Sequence, residues 1–257
     1  MSETSCPNCE QEIIGAFCHH CGQKKNVYRL TWRGLFDDLQ KRLFGFDNNF
    51  FRTIKDLTIR PEKVIQSNID GIRVRYIGPV GYYFLLVTIF VLIISMLNID
   101  MMQYTKDINS AFSSGTSEKQ AAMQSTFQGT IFENFRTVGF LMAPFFIIGV
   151  WIMFRNKKYN LLENAVLVFY AQGHPMLLSF LGLFLYKFAG MTHAIAFISP
   201  IGILYFSWVC ARFFKGNGIW NFIKGLLAYI LGMLTLMLIV ITITAVIAAL
   251  FPEVFML

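Results

Sequence analysis

The chain has 257 residues, 55% of them hydrophobic and 14% charged, with 27 Phe, 12 Met and a formal net charge of +7. That is far more apolar than water-soluble domains run, so the composition excludes an ordinary soluble globular protein and points to a chain housed in lipid. Four of the five cysteines fall within residues 1–25, and Cys210 sits alone in an apolar stretch, a pattern that argues against an extracellular disulfide framework and for a reducing compartment.

The beginning of the chain, Met1 to Glu12, is polar and acidic, which does not fit a cleavable signal peptide. It leads into CPNCEQEIIGAFCHHCGQKK, in which Cys6 and Cys9 form one CxxC pair, Cys18 and Cys21 a second, with eight residues between the pairs. Two such knuckles joined by a short hairpin place four thiolates around one tetrahedral ion, so the sequence predicts a zinc ribbon over residues 1–25 holding structural Zn2+. Gly15 is expected to turn the hairpin and Gly22 to let the backbone curl back after Cys21. A redox dithiol is the competing reading, but it ordinarily opens a helix within a larger α/β unit than this segment supplies. Four sulfurs leave no coordination position for water, which implies a staple and not a hydrolytic site. His19 and His20 read as exposed knuckle residues.

Residues 26–76 keep a helical beat without being apolar enough to span a bilayer. Thr31 can cap a helix with Trp32, Leu35, Phe36, Leu39, Leu43 and Phe46 on one stripe. A second helix is predicted from Asn49 to Ile59, burying Phe50, Phe51, Ile54 and Leu57, and a third from Pro61 to Gly71. The stripes either lie along anionic headgroups or pack against each other beneath the membrane helices. Lys63, Arg73 and Arg75 are candidates for a lipid-headgroup contact, with plain interfacial anchoring as the alternative.

Residues 77–257 read as five transmembrane helices: Ile77 to Leu97, Val138 to Phe154, Ala165 to Tyr186, His193 to Phe213, and one within Ile223 to Leu250. The fold class is therefore an all-α polytopic membrane protein, with an external loop at about residues 100–136. Basic residues crowd the N-terminal region and the turns at 155–158 and 212–224, so the positive-inside rule predicts a cytosolic N-terminus and an external C-terminus.

Few ionisable groups lie inside the apolar segments, and such groups are functional suspects. Pro175 predicts a kink beside His174, where Gln172, His174 and Ser179 form a candidate intramembrane polar site. One reading makes it a proton or metal path; the blander one makes His174 a hydrogen-bonded residue beside a kink. Pro144 and Pro200 read as further kinks and Cys210 as a small core residue.

The run RPEKVIQSNIDGIRVRYIGPVGYYF fits PxxVIxxxIxGxRxRYxxPxxYxF at Pro61, Val64, Ile65, Ile69, Gly71, Arg73, Arg75, Tyr76, Pro79, Tyr82 and Phe84. With the cysteine pairs ahead of it, it resembles a bacterial membrane-protein family catalogued as domain of unknown function 3667, with an N-terminal zinc ribbon. The layout alone is similar to that of the Yip1 family of trafficking membrane proteins. The first resemblance implies that ribbon, linker and helices form one architecture, and neither implies an activity.

No HExxH, GxSxG, paired carboxylates or phosphate loop is present, so the chain is read as no enzyme. The function expected is a scaffold or regulator of the bacterial inner (cytoplasmic) membrane that presents its ribbon to cytosolic partners. The alternative is a transporter or channel component built around Gln172, His174 and Ser179. The partners expected are the lipid bilayer and a cytosolic or membrane protein. A homo-oligomer is compatible with the sequence, and interleaved acidic residues disfavour nucleic acid.

Overall fold

A computed structural model describes residues 5–25, 49–101, 103–104, 106–107, 135–191 and 198–250. The predicted helix over Thr31 to Phe46, most of the loop at about 100–136, and His193 lie outside these residues. Within them eight helices have defined bounds, α1 (Asn49–Ile59), α2 (Pro61–Ile69), α3 (Pro79–Met96), α4 (Phe135–Met153), α5 (Leu161–Gly173), α6 (Met176–Ala189), α7 (Ile198–Phe213) and α8 (Gly218–Leu250), and the described residues among 101–107 are helical too. Beyond two isolated bridges near the N-terminus, Ser5 with Glu12 and Phe17 with Lys24, the described residues contain no strand pairing.

Local chemistry sets the helix ends. Proline opens α2 and α3, where its missing N–H costs nothing. Beyond the end of α2, Gly71 takes φ +79°, a conformation open to glycine at little cost. Asn160 and Glu163 form a reciprocal capping box at the start of α5. Gly190, at φ 64°, caps α6. Pro175 separates α5 from α6, because its ring removes a donor and crowds the preceding turn.

Three segments are long and apolar enough to cross a membrane: Pro79–Met96, Leu161–Ala189 taken across the break, and Gly218–Leu238. Met142–Met153 and Pro200–Phe213 are shorter apolar helices. Side chains such as Leu181, Leu204, Leu234 and Trp151 are exposed on the outside of this assembly, as lipid-facing residues are. The core contains Tyr82, Leu86, Leu167, Tyr170, Phe206 and Phe214, all fully buried.

α5 is the central helix, with every residue from Leu162 to Ala171 buried. It packs against α2, α3, α4 and α7, and α8 packs against α4 and α7. The α8 contacts are close. A methyl placed on Gly149 would meet the Ala228 carbonyl oxygen at 2.5 Å, and one on Gly225 would meet the Cys210 Cβ at 2.8 Å. Small residues here let backbones approach as they do in membrane helix pairs. Cys210 is accordingly a buried packing residue.

The α1 stripe is turned from the predicted one. Leu57 is buried and Phe50 and Ile54 are partly so, but Phe51 is 74% exposed and Thr53 is fully buried in its stead. The reason is polar: the Thr53 hydroxyl donates to the Asn49 carbonyl at 2.6 Å and accepts the Ile77 N–H at 3.1 Å. That exchange fixes which face of α1 turns inward.

Candidate metal centre and its attachment

The two CxxC pairs fold as copies of one turn. Cys6 N–H donates to the Gln11 carbonyl at 2.8 Å and Glu10 N–H to the Cys6 carbonyl at 2.9 Å. Cys18 N–H donates to the Gln23 carbonyl at 2.7 Å and Gly22 N–H to the Cys18 carbonyl at 2.9 Å. Each turn needs a left-handed residue after its second cysteine, supplied by Gly22 at φ 72° and by Glu10 at φ 63°. Gly15, expected to turn the hairpin, lies with Ala16 at a bend between the two bridged turns and makes it without a positive φ. The repeated Gln in CPNCEQ and CHHCGQ was the sequence signal for this duplication.

The fold brings the four sulfurs together. The Sγ atoms of Cys6, Cys9, Cys18 and Cys21 all lie within 4.8 Å of one another. Cys6 is 3.5 Å from Cys21 and Cys9 is 3.5 Å from Cys18. A regular tetrahedron of sulfurs at Zn–S distances of about 2.3 Å has edges of about 3.8 Å, so the thiols fit one ion of that size.

Electrostatics points the same way. Backbone N–H donation from Cys21, and then from His20, pulls the Cys18 thiol down to about 6 against the opposing effect of burial. At Cys9 the Gln11 backbone N–H pulls downward too, but burial and the neighbouring sulfurs outweigh it and push the thiol up to about 12. Sulfurs this close cannot all ionise together unless a cation lies between them. Among the described residues of the head, Ile13 is the one aliphatic side chain that joins the buried cysteines, while Ile14 and Phe17 are exposed. His19 and His20 are exposed as well.

Gln23, in the second knuckle, is 2% exposed and donates its side-chain amide to the Gly71 carbonyl at 3.0 Å. Gly71 begins a segment, residues 71–77, that we term the strap because it is hydrogen-bonded to α1, α5 and the cysteine head. Asn49 Nδ2 donates to the Val74 carbonyl at 3.1 Å, and the Tyr76 hydroxyl to Asp56 at 2.7 Å. The Ser67 hydroxyl donates to the Ile72 carbonyl and the Tyr170 hydroxyl to that of Ile77. The strap has no helix or strand of its own, so its backbone groups are satisfied by neighbours.

Of the headgroup candidates, Lys63 is exposed on α2 and Arg75 is exposed with its guanidinium 5.6 Å from the Tyr76 ring centre. Arg73 is half-buried, and its backbone N–H donates to the same Gly71 carbonyl at 2.9 Å.

Residues 47–91 match the model of a family described as Protein of unknown function (DUF3667). The DUF3667 stretch takes in α1, α2, the strap and the first part of α3, and it stops short of the cysteines. No curated protein and no solved structure matches the chain. Gly71, Tyr76, Pro79 and Tyr82, which carried the resemblance, are here the left-handed residue after α2, the anchor on Asp56, the start of α3 and a buried partner of His174.

At the α5–α6 break, His174 is buried. Its Nδ1 is 2.9 Å from the Tyr82 hydroxyl, its Nε2 is 3.0 Å from the Thr58 hydroxyl, and its ring stacks on Tyr205 with centres 5.0 Å apart. The Tyr205 hydroxyl donates to the Leu57 carbonyl at 3.0 Å, so α1 is held to this point twice. Gln172 and Ser179 are half-buried, and neither side chain joins the hydrogen bonds around His174 among the described residues.

Proposed function

We propose that the protein is a non-enzymatic scaffold or regulator of the bacterial inner membrane whose N-terminal ribbon, closed by structural zinc, is presented to cytosolic partners. The observation that carries this reading is a head with four converging thiols, hydrogen-bonded to the segment that enters α3, with Ile14 89% and Phe17 61% exposed at its surface. Zinc bound there supplies folding free energy that so small a core lacks, and it leaves no site for hydrolysis.

In this proposal α3, α4, α5 with α6, α7 and α8 make five passes, with the N-terminus cytosolic and the C-terminus external. The ends of the helices support it. Arg212 pairs with Glu62 of α2 at 3.1 Å, and Lys157 donates to the Lys215 carbonyl at 2.6 Å. The basic turns at 155–158 and 212–215 therefore gather at the end of the assembly that holds α2, whereas Lys187 lies near Asn98 at the other end of α3. This is the asymmetry that fixes orientation in membranes.

Photocrosslinking in intact membranes from probes at Ile14 and Phe17 tests the recruiting role, alongside co-purification with and without residues 1–25. Discrete protein adducts that disappear in Cys9→Ser would support it. An unchanged set of partners after removal of the head would rule it out.

A further inference from the structure

We propose that the cysteine head is a metal-dependent latch on the membrane domain: with its thiolates bound to a divalent cation, the second knuckle clamps the strap through Gln23, and loss of the metal frees the strap. The proposal rests on the zinc reading above and adds what the ion controls.

Gln23 is positioned by the knuckle itself. Its carbonyl accepts the Cys18 N–H, and it follows directly on Cys21 and the left-handed Gly22. The ribbon's buried cluster is Cys6, Ile13 and Cys18, with Cys9 and Cys21 packed against it, so the residues that form its core are nearly the same as those that would hold the ion. Without the metal this cluster is far too small to offset the chain entropy of ordering the turn. Gln23 then has nothing to hold it against its target.

The target lies at a sensitive place. Gly71 is buried, and its carbonyl is shared between Gln23 and the Arg73 N–H. The strap carbonyls of Ile72, Val74 and Ile77 take donors from the membrane-side elements, through Ser67, Asn49 and Tyr170. The strap is thus bonded to α1 and α5 on one side and to the metal head on the other. α1 continues the connection, because Thr58 at its far end is the Nε2 partner of His174 at the α5–α6 break. Occupancy of the four sulfurs is in this way linked by contiguous hydrogen bonds to the helix that enters the membrane.

The test uses the full chain in lipid nanodiscs, zinc-loaded or stripped with a chelator, with metal content and amide hydrogen exchange read on the same samples. Stripping is expected to speed exchange in residues 71–77 by about three- to tenfold, the range set by losing one ordinary hydrogen bond, while buried α5 stays unchanged. Gln23→Ala is expected to keep its zinc and show the same acceleration, and Gln23→Met, similar in shape but without the donor, is the second variant. Zinc removed with strap exchange unaltered overturns the latch and leaves the zinc ribbon standing, as does either variant if it retains both metal and strap protection. Protein that never takes up metal overturns both.

Discussion

His174 Nε2 and the Thr58 hydroxyl lie 3.0 Å apart, and the direction of that bond follows from its neighbours. Thr58 gives its single proton to the Ile54 carbonyl at 2.8 Å, so it accepts from His174. Nε2 therefore carries a proton, and in the neutral ring Nδ1 accepts from Tyr82. Every polar atom of the ring is used. Replacing His174 with Phe keeps the ring but leaves the buried Tyr82 hydroxyl without this acceptor, and a loss of about 1–3 kcal/mol is expected. Thermal unfolding in detergent should show it, and Tyr82→Phe combined with His174→Phe should recover part of it.

Tyr76 makes a pH prediction. Burial, reinforced by its hydrogen bond to Asp56, pushes its hydroxyl up to about 12 from an ordinary value near 10. A group whose folded value is raised favours the folded state fully below the unfolded value and loses that effect as pH rises through the folded one. The advantage of wild type over Tyr76→Phe should be constant below about pH 10 and shrink toward about pH 12. Alkaline unfolding curves of the two proteins measure this, and a constant gap across that window would refute it.

Helix packing through glycine is testable at Gly149, where a Cβ would lie 2.5 Å from the Ala228 carbonyl oxygen. Backbone cannot yield as a side-chain tip can, so Gly149→Ala should cost about 1–3 kcal/mol by separating α4 from α8. Gly81→Ala, whose added methyl would meet only the Ile77 side chain at 3.8 Å, is the control and should be near neutral.

The head should bind one divalent ion per chain, lose it on mild acidification as the thiolates take protons, and show tetrahedral thiolate absorption with cobalt. Cys21→Ser should abolish the cobalt spectrum. Glu10, at φ 63°, holds a conformation that glycine adopts with less strain, so Glu10→Gly should retain metal, whereas Gly22→Val should weaken it. Competition with a chelator gives the ranking.

Much of this architecture was legible where one residue type decides local geometry. The start of α2 at Pro61, the left-handed Gly71 and the break beside Pro175 follow from backbone chemistry, and the cysteine spacing foretold the convergence of four sulfurs. What escaped depends on distant partners. Apolar count favoured Phe51 as a buried residue of α1, but the Ile77 N–H selects Thr53, and no window along the chain contains both groups. Thr58 and Tyr82 were likewise invisible as partners of His174, and Gln23 as a partner of Gly71, because each pairing forms only when separate helices or the head are brought together. The family match begins after the cysteines, so it reaches the receiving side of that last contact and not the donor.

The enclosure of α5 bears on which part of the chain can serve as a crossing unit. Thirteen residues long, it spans about 20 Å at 1.5 Å per residue, short of the hydrocarbon thickness, and it carries buried Glu163 and Asn164 near its start. Such a helix is a poor candidate for entering lipid alone. α6 supplies the missing length across the break, and neighbouring helices enclose the polar end, so α5 and α6 are long and apolar enough to cross a membrane only as a pair.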